Sequence, residues 1–135
     1  MRISENQNTH YERIGGEAKV RELVQRFYYL MDELPEVHRI RKMHHISLKG
    51  AEDKLFMFLS GWMGGPQLFV EKFGHPRLRQ RHLPFAIGDE ERDQWMMCMT
   101  QAVNDVVEDE ALRQELLLAF QKVADFMRNQ GAGNA

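Results

Sequence analysis

The sequence predicts an all-α fold. Apolar residues recur at three- and four-residue spacing in several separate segments, and no segment sustains the two-residue alternation of a half-exposed strand. Gly and Pro cluster at the breaks between the periodic segments, where chain reversals belong.

The first long helix follows Gly15-Gly16 and sets Val20, Val24, Phe27, Tyr28 and Met31 on one stripe. Pro35 breaks the pattern and suits the first turn of a short helix running to about Met43. A third helix is expected from near Gly50, with Ala51, Leu55, Phe58, Leu59 and Trp62 on its inner face, stopped by Gly64-Gly65-Pro66. Between Gln67 and Phe85, Gly74, Pro76 and Pro84 predict short helical turns and loop. After Gly88, Asp89-Glu90-Glu91 fits a helix N-terminus, where carboxylates meet the positive end of the dipole. That helix carries Trp95, Cys98, Met99, Ala102, Val103 and Val106. The last begins at about Asp109, carries Leu112, Leu116, Phe120, Val123, Ala124 and Met127, and is expected to stop at Asn129-Gln130-Gly131.

At 135 residues the chain is the size of one domain, read here as residues 11–130 after an N-terminal extension (1–10) and before a tail (131–135) expected to be disordered. A net charge of -2 offers no broad field for nucleic acid or an acidic membrane surface. No apolar run approaches the ~20 residues that span a bilayer, and the polar N-terminus lacks the apolar core of a secretory signal, so the expected location is cytoplasmic. Cys98 is the single cysteine and is read as a core residue rather than a redox switch. Nine methionines suit a core packed around something irregular, or ordinary helical packing.

Six histidines occur, at positions 10, 38, 44, 45, 75 and 82, with no spacing that organises a zinc site. His10 and His38 read as surface residues. His82 differs, because it lies among Arg77, Arg79 and Arg81 and ahead of Leu83-Pro84-Phe85. A haem needs one imidazole nitrogen for iron, apolar contacts for the porphyrin and cations for its propionates; an exposed basic helix with an incidental histidine would read the same way. Tyr28 and Trp95 place polar groups on apolar stripes. Each is either a core aromatic bonded to a carbonyl or a donor to a bound ligand.

Four stretches taken in order carry a resemblance: Phe27-Tyr28; Gly61-Trp62-Met63-Gly64-Gly65-Pro66; Gly74-His75-Pro76-Arg77-Leu78-Arg79-Gln80-Arg81-His82-Leu83-Pro84-Phe85; and Glu91-Arg92-Asp93-Gln94-Trp95. Over roughly Tyr11 to Met127 the chain resembles the group II truncated haemoglobins. The resemblance implies a two-over-two helical sandwich around haem b, with a very short first helix and a mostly extended loop before the iron-binding helix. It implies His82 as the proximal iron ligand, and Tyr28, Trp95 and His44 as the distal residues. It also implies Ala51 at the position where vertebrate globins carry a distal histidine, with Leu55 one turn later, and Leu55 and Phe58 as expected haem contacts. His44 and His45 could exchange roles. Arg79, Arg81 and Lys54 are candidates for the propionates, and Lys54 serves equally as a solvated cation.

The function that follows is reversible binding of oxygen, carbon monoxide or nitric oxide at a pentacoordinate iron. Donors from Trp95 and Tyr28, with His44 linked to Tyr28 or to the ligand, would slow release, which makes bulk oxygen transport a poor fit. A redox enzyme, peroxidase-like or oxidising nitric oxide, is the alternative; it would need an external reductase, since no segment resembles a flavin or nicotinamide domain. A homodimer is compatible with the sequence. A helical interaction module would explain the amphipathic stripes but not the ordered motifs around His82.

Overall fold

The computed structural model describes residues 8–83 and 85–129, apart from the side chain of Arg79. Most of the expected extension and all of the expected disordered tail, with Gln130 and Gly131 of the expected helix stop, lie outside the described residues.

Helix α1 (His10–Ile14) is little more than one turn, too short to persist alone. Thr9 caps it: its hydroxyl accepts from the Glu12 N–H at 3.1 Å, and the Glu12 carboxylate accepts from the Thr9 N–H at 3.2 Å. Tertiary bonds hold the turn in place. The Tyr11 N–H donates to the Met63 carbonyl at 2.9 Å, and Arg13 makes two bonds to Glu115, at 2.7 and 3.2 Å. His10 corrects an expectation: it is half-buried, with Nε2 3.1 Å from the same Glu115 carboxylate.

Helix α2 (Glu17–Glu33) buries Val20, Val24, Phe27, Tyr28 and Met31, and adds Leu23 and Leu30, so its apolar stripe is wider than the one read from the sequence. The short helix expected from Pro35 is two pieces, a 3-10 turn (Pro35–Val37) and α3 (His38–Arg41), and it stops before Met43. Arg41 ties the following loop, donating to the carbonyls of His45 at 2.9 Å and Ile46 at 2.7 Å.

Helix α4 (Lys49–Trp62) departs furthest from its expected face. Of the five residues assigned to its inner side only Leu59 is fully buried; Phe56 and Ser60 take the core, while Ala51, Leu55, Phe58 and Trp62 are half-buried. The Ser60 hydroxyl donates to the Pro66 carbonyl at 2.7 Å, which explains a polar side chain with no exposed surface. Two short helices follow, α5 (Leu68–Phe73) and α6 (Leu78–His82). Helix α7 (Asp89–Val106) starts as expected, with Glu91 accepting from the Gly88 N–H at 2.8 Å. Helix α8 (Glu110–Met127) is capped by Asp109, whose carboxylate accepts from the Ala111 N–H at 3.0 Å.

Helices α2 and α4 pack together, α7 and α8 pack together, and α2 lies on α7, giving two pairs stacked as a sandwich. Three residues connect α7 to α8, which forces an antiparallel hairpin. Val20, Leu23, Val24, Phe27, Val103, Leu112, Leu116 and Phe120 form the centre of the core. No strand occurs among the described residues, and no described helix is long and apolar enough to cross a membrane.

Candidate functional site

His82 is the last residue of α6, and its ring is half-buried. Its Nδ1–H donates to the Leu78 carbonyl one turn back, at 2.7 Å. That bond fixes the tautomer, so Nε2 carries the lone pair. Among the described residues Nε2 has no hydrogen-bond partner. A carbonyl holding Nδ1–H is also what orients an imidazole for a metal and raises its basicity. The Phe85 ring lies 6.4 Å away.

Starting at His44, rings run in an unbroken series. His44 meets Tyr28 edge-on at 5.9 Å, Tyr28 meets Phe27 at 4.9 Å, and Phe27 meets Trp95 at 5.3 Å. Trp95 then contacts Phe120 at 5.9 Å, Phe120 stacks on Trp62 at 4.8 Å, and Trp62 leads to Phe58 at 6.5 Å. Phe58 packs edge-on against Phe69 of α5, which is 4.8 Å from Phe73. Tyr28 and Trp95 therefore pack against the same Phe27.

The Tyr28 ring is buried, and burial together with the charge of Glu52 holds its phenol far above its ordinary value, so the hydroxyl stays protonated. Neither that hydroxyl nor the Trp95 indole N–H has a hydrogen-bond partner among the described residues. The buried Tyr28 hydroxyl left so costs free energy until something accepts from it, whereas Trp95 is half-buried. His44 is half-buried, and its Nδ1–H donates to the Ile40 carbonyl at 2.8 Å. Burial lowers its pKa against the opposing pull of that bond, and the charges of Arg41, His82 and His45 lower it further. His45 is exposed.

Ala51, Leu55 and Phe58 line one half-buried edge of α4. Lys54 is exposed, with its ammonium 5.7 Å from the centre of the Phe73 ring, and the Arg81 guanidinium stands 5.2 Å from that of Phe69. Cations from α4 and α6 therefore bracket the same aromatic pair, as charges at the polar edge of a flat apolar ligand would. Nothing is described of the Arg79 side chain. Cys98 is fully buried, and burial pushes its thiol up to about 11, leaving an unreactive core residue.

These residues fit a haem. A single imidazole with its second nitrogen committed, a wall of rings and aliphatic side chains, two donors without a partner among the described residues and two cations at one edge are the donor set that group requires. Among the described residues no three His, Cys, Asp or Glu side chains converge, so a ligand cage made by the protein alone is a poorer match.

Sequence reasoning missed three contributors. Phe69 and Phe73 lie between the glycine and proline breaks, where no local signal marks them. Asn129 was read only as part of a helix stop, yet its side chain amide donates to the carbonyls of Phe85 at 2.8 Å and His82 at 3.3 Å.

A family model described as "Bacterial-like globin" matches residues 9–129. The chain is 36% identical over 123 residues to the group 2 truncated hemoglobin YjbI of Bacillus subtilis, covering 91% of this chain and 90% of that one. It is similar in structure to a cold-adapted truncated hemoglobin from the Antarctic marine bacterium Pseudoalteromonas haloplanktis, with 43% identity, a TM-score of 0.90, and 91% and 99% of the two chains covered. A group II 2-on-2 hemoglobin from Agrobacterium tumefaciens gives 44% identity and a TM-score of 0.90 over 95% of this chain and 99% of that one.

Proposed function

This chain belongs to the bacterial-like globin family, and on that premise we propose that it holds haem b through His82 and reversibly takes a diatomic gas at a five-coordinate iron. The observation that carries the proposal is the His82 imidazole, its Nδ1–H committed to Leu78 and its Nε2 unengaged among the described residues. When bound, the haem supplies an iron that takes oxygen, carbon monoxide or nitric oxide.

The remaining chemistry belongs to side chains of the chain itself. Tyr28 and Trp95, both packed against Phe27, offer an O–H and an N–H. Donors in a dry pocket hold a ligand that gains negative charge far better than the same donors in water. His44, kept neutral by burial, presents Nε2 as an acceptor beside Tyr28, which would orient the Tyr28 hydroxyl. Ala51 leaves the α4 edge open where a larger side chain would narrow the approach. Lys54 and Arg81 would pair with the propionates, and Leu55 and Phe58 would pack on the porphyrin.

Oxygen dissociation measured on the wild type and on Trp95→Phe tests the distal part. Loss of one donor to a charged acceptor predicts release faster by about tenfold or more. An unchanged rate removes Trp95 from the site.

One observation favours a second reading, a peroxidase-like or nitric-oxide-oxidising enzyme. A neutral His44 with Nε2 unengaged among the described residues is a group able to carry a proton in the pocket. Such an enzyme would draw electrons from an external reductase. Multiple turnovers with peroxide or nitric oxide and a chemical reductant favour it, and a single stoichiometric reaction leaves ligand binding alone.

A further inference from the structure

We propose that Asn129, just beyond α8, is a positioning residue that sets where His82 sits and how its imidazole is aimed. The proposal rests on His82 being the iron ligand. Helix α6 is only five residues long and cannot hold its own place, so whatever fixes its C-terminal end fixes the imidazole.

Asn129 grips that end with its main-chain N–H and both polar atoms of its side chain. Its main-chain N–H donates to the Ile87 carbonyl at 2.8 Å, and its side-chain oxygen accepts from the Ile87 N–H at 2.9 Å. Its side-chain NH2 donates to the Phe85 carbonyl at 2.8 Å and to the His82 carbonyl at 3.3 Å. The amide can point only one way, because the reverse would set N–H against N–H and oxygen against two carbonyls. The His82 carbonyl is one of the acceptors that a helix end leaves without an intrahelical donor; the Phe85 N–H also reaches it, at 2.9 Å.

Two bonds in series then join α8 to the iron ligand. Asn129 holds the His82 main chain, and the Leu78 carbonyl holds the His82 ring. Helix α8 is anchored in the core through Leu112, Leu116 and Phe120, so the clamp ties the short α6 to a long, core-packed helix. Aspartate has the shape of asparagine, would keep the bond from Ile87 and would lose both donors, placing a carboxylate oxygen against two carbonyls.

The experiment compares wild type, Asn129→Asp and Asp109→Ala in the full chain. The last variant removes the N-cap of the same helix and weakens α8 without touching the clamp. Two readouts are taken: the iron–histidine stretching band of the ferrous haem-loaded protein, and amide hydrogen exchange at positions 85–88 without added haem. The clamp predicts a shifted or broadened band and exchange faster by about tenfold in Asn129→Asp alone. If Asn129→Asp fails to fold, Asn129→Ala, which removes the donors without adding charge, takes its place with the same expectations. A band and exchange rates that match wild type overturn the proposal, as does an equal change in Asp109→Ala. A wild type that takes up no haem overturns the haem reading itself, an outcome distinct from an Asn129 variant that loads haem and behaves as wild type.

Discussion

His44 and Tyr28 show how burial decides chemistry one side chain at a time. Burial disfavours the imidazolium of His44 and the phenolate of Tyr28, so both are neutral near pH 7 and both can serve as hydrogen-bonding groups. Because the folded-state pKa of His44 lies below the ordinary 6.5, stability gained by keeping it neutral is fully present above that value. It is lost as the pH falls from there through the lower folded value, where the unfolded chain binds the proton first. Urea midpoints at about pH 7.5 and about pH 5.5 should therefore fall more for wild type than for His44→Gln, and equal falls contradict the assignment. The Tyr28 hydroxyl predicts something different. With no partner among the described residues, its removal in Tyr28→Phe should leave the haem-free protein as stable or more stable by about 1 kcal/mol in urea unfolding. A loss of that size would mean the hydroxyl is satisfied within the fold. Tyr28 stood out because it puts a hydroxyl on an apolar stripe, whereas His44 was singled out through the resemblance alone. Whether His44 or His45 turns inward was not legible, since the turn after α3 depends on the grip of Arg41 on two loop carbonyls.

Among the elements, α2, α7 and α8 were readable from periodicity because each buries an apolar stripe against another helix, α7 only from Cys98 onward. Helix α4 was not, because it has two apolar edges. Phe56, Leu59 and Ser60 meet the core, whereas Ala51, Leu55, Phe58 and Trp62 form the half-buried edge that joins the ring series. A single inner face was inferred where two neighbouring ones exist, and a buried serine bonded to Pro66 could not be foreseen from hydropathy. Helix α1 was invisible to periodicity, being short and held by tertiary bonds. Its docking makes a further prediction: a Cβ on Gly65 would run into the Tyr11 ring. Gly65→Ala should cost about 1–3 kcal/mol in urea unfolding. An unchanged midpoint would mean that Tyr11 is not packed there.

For the whole molecule, the order of the motifs carried more than any one of them. It anticipated an all-helical sandwich, and the family match over residues 9–129 extends almost evenly beyond the stretch from Tyr11 to Met127 that the motifs cover. Contacts between distant segments stayed hidden. Asn129 reaches His82 across 47 positions and His10 reaches Glu115 across 105, and neither pairing leaves a trace in local spacing. Helix α6, too short to stand alone, packs on α8, while the buried Tyr28 hydroxyl and the half-buried Trp95 indole belong to α2 and α7. The central claim is that His82 is the one side chain by which this arrangement holds a haem iron. Absorption spectra of haem-loaded wild type and His82→Ala, ferrous and with carbon monoxide, test it most directly. The account predicts a sharp Soret band in wild type that is weakened or displaced in His82→Ala, and the same band undiminished in both would contradict it.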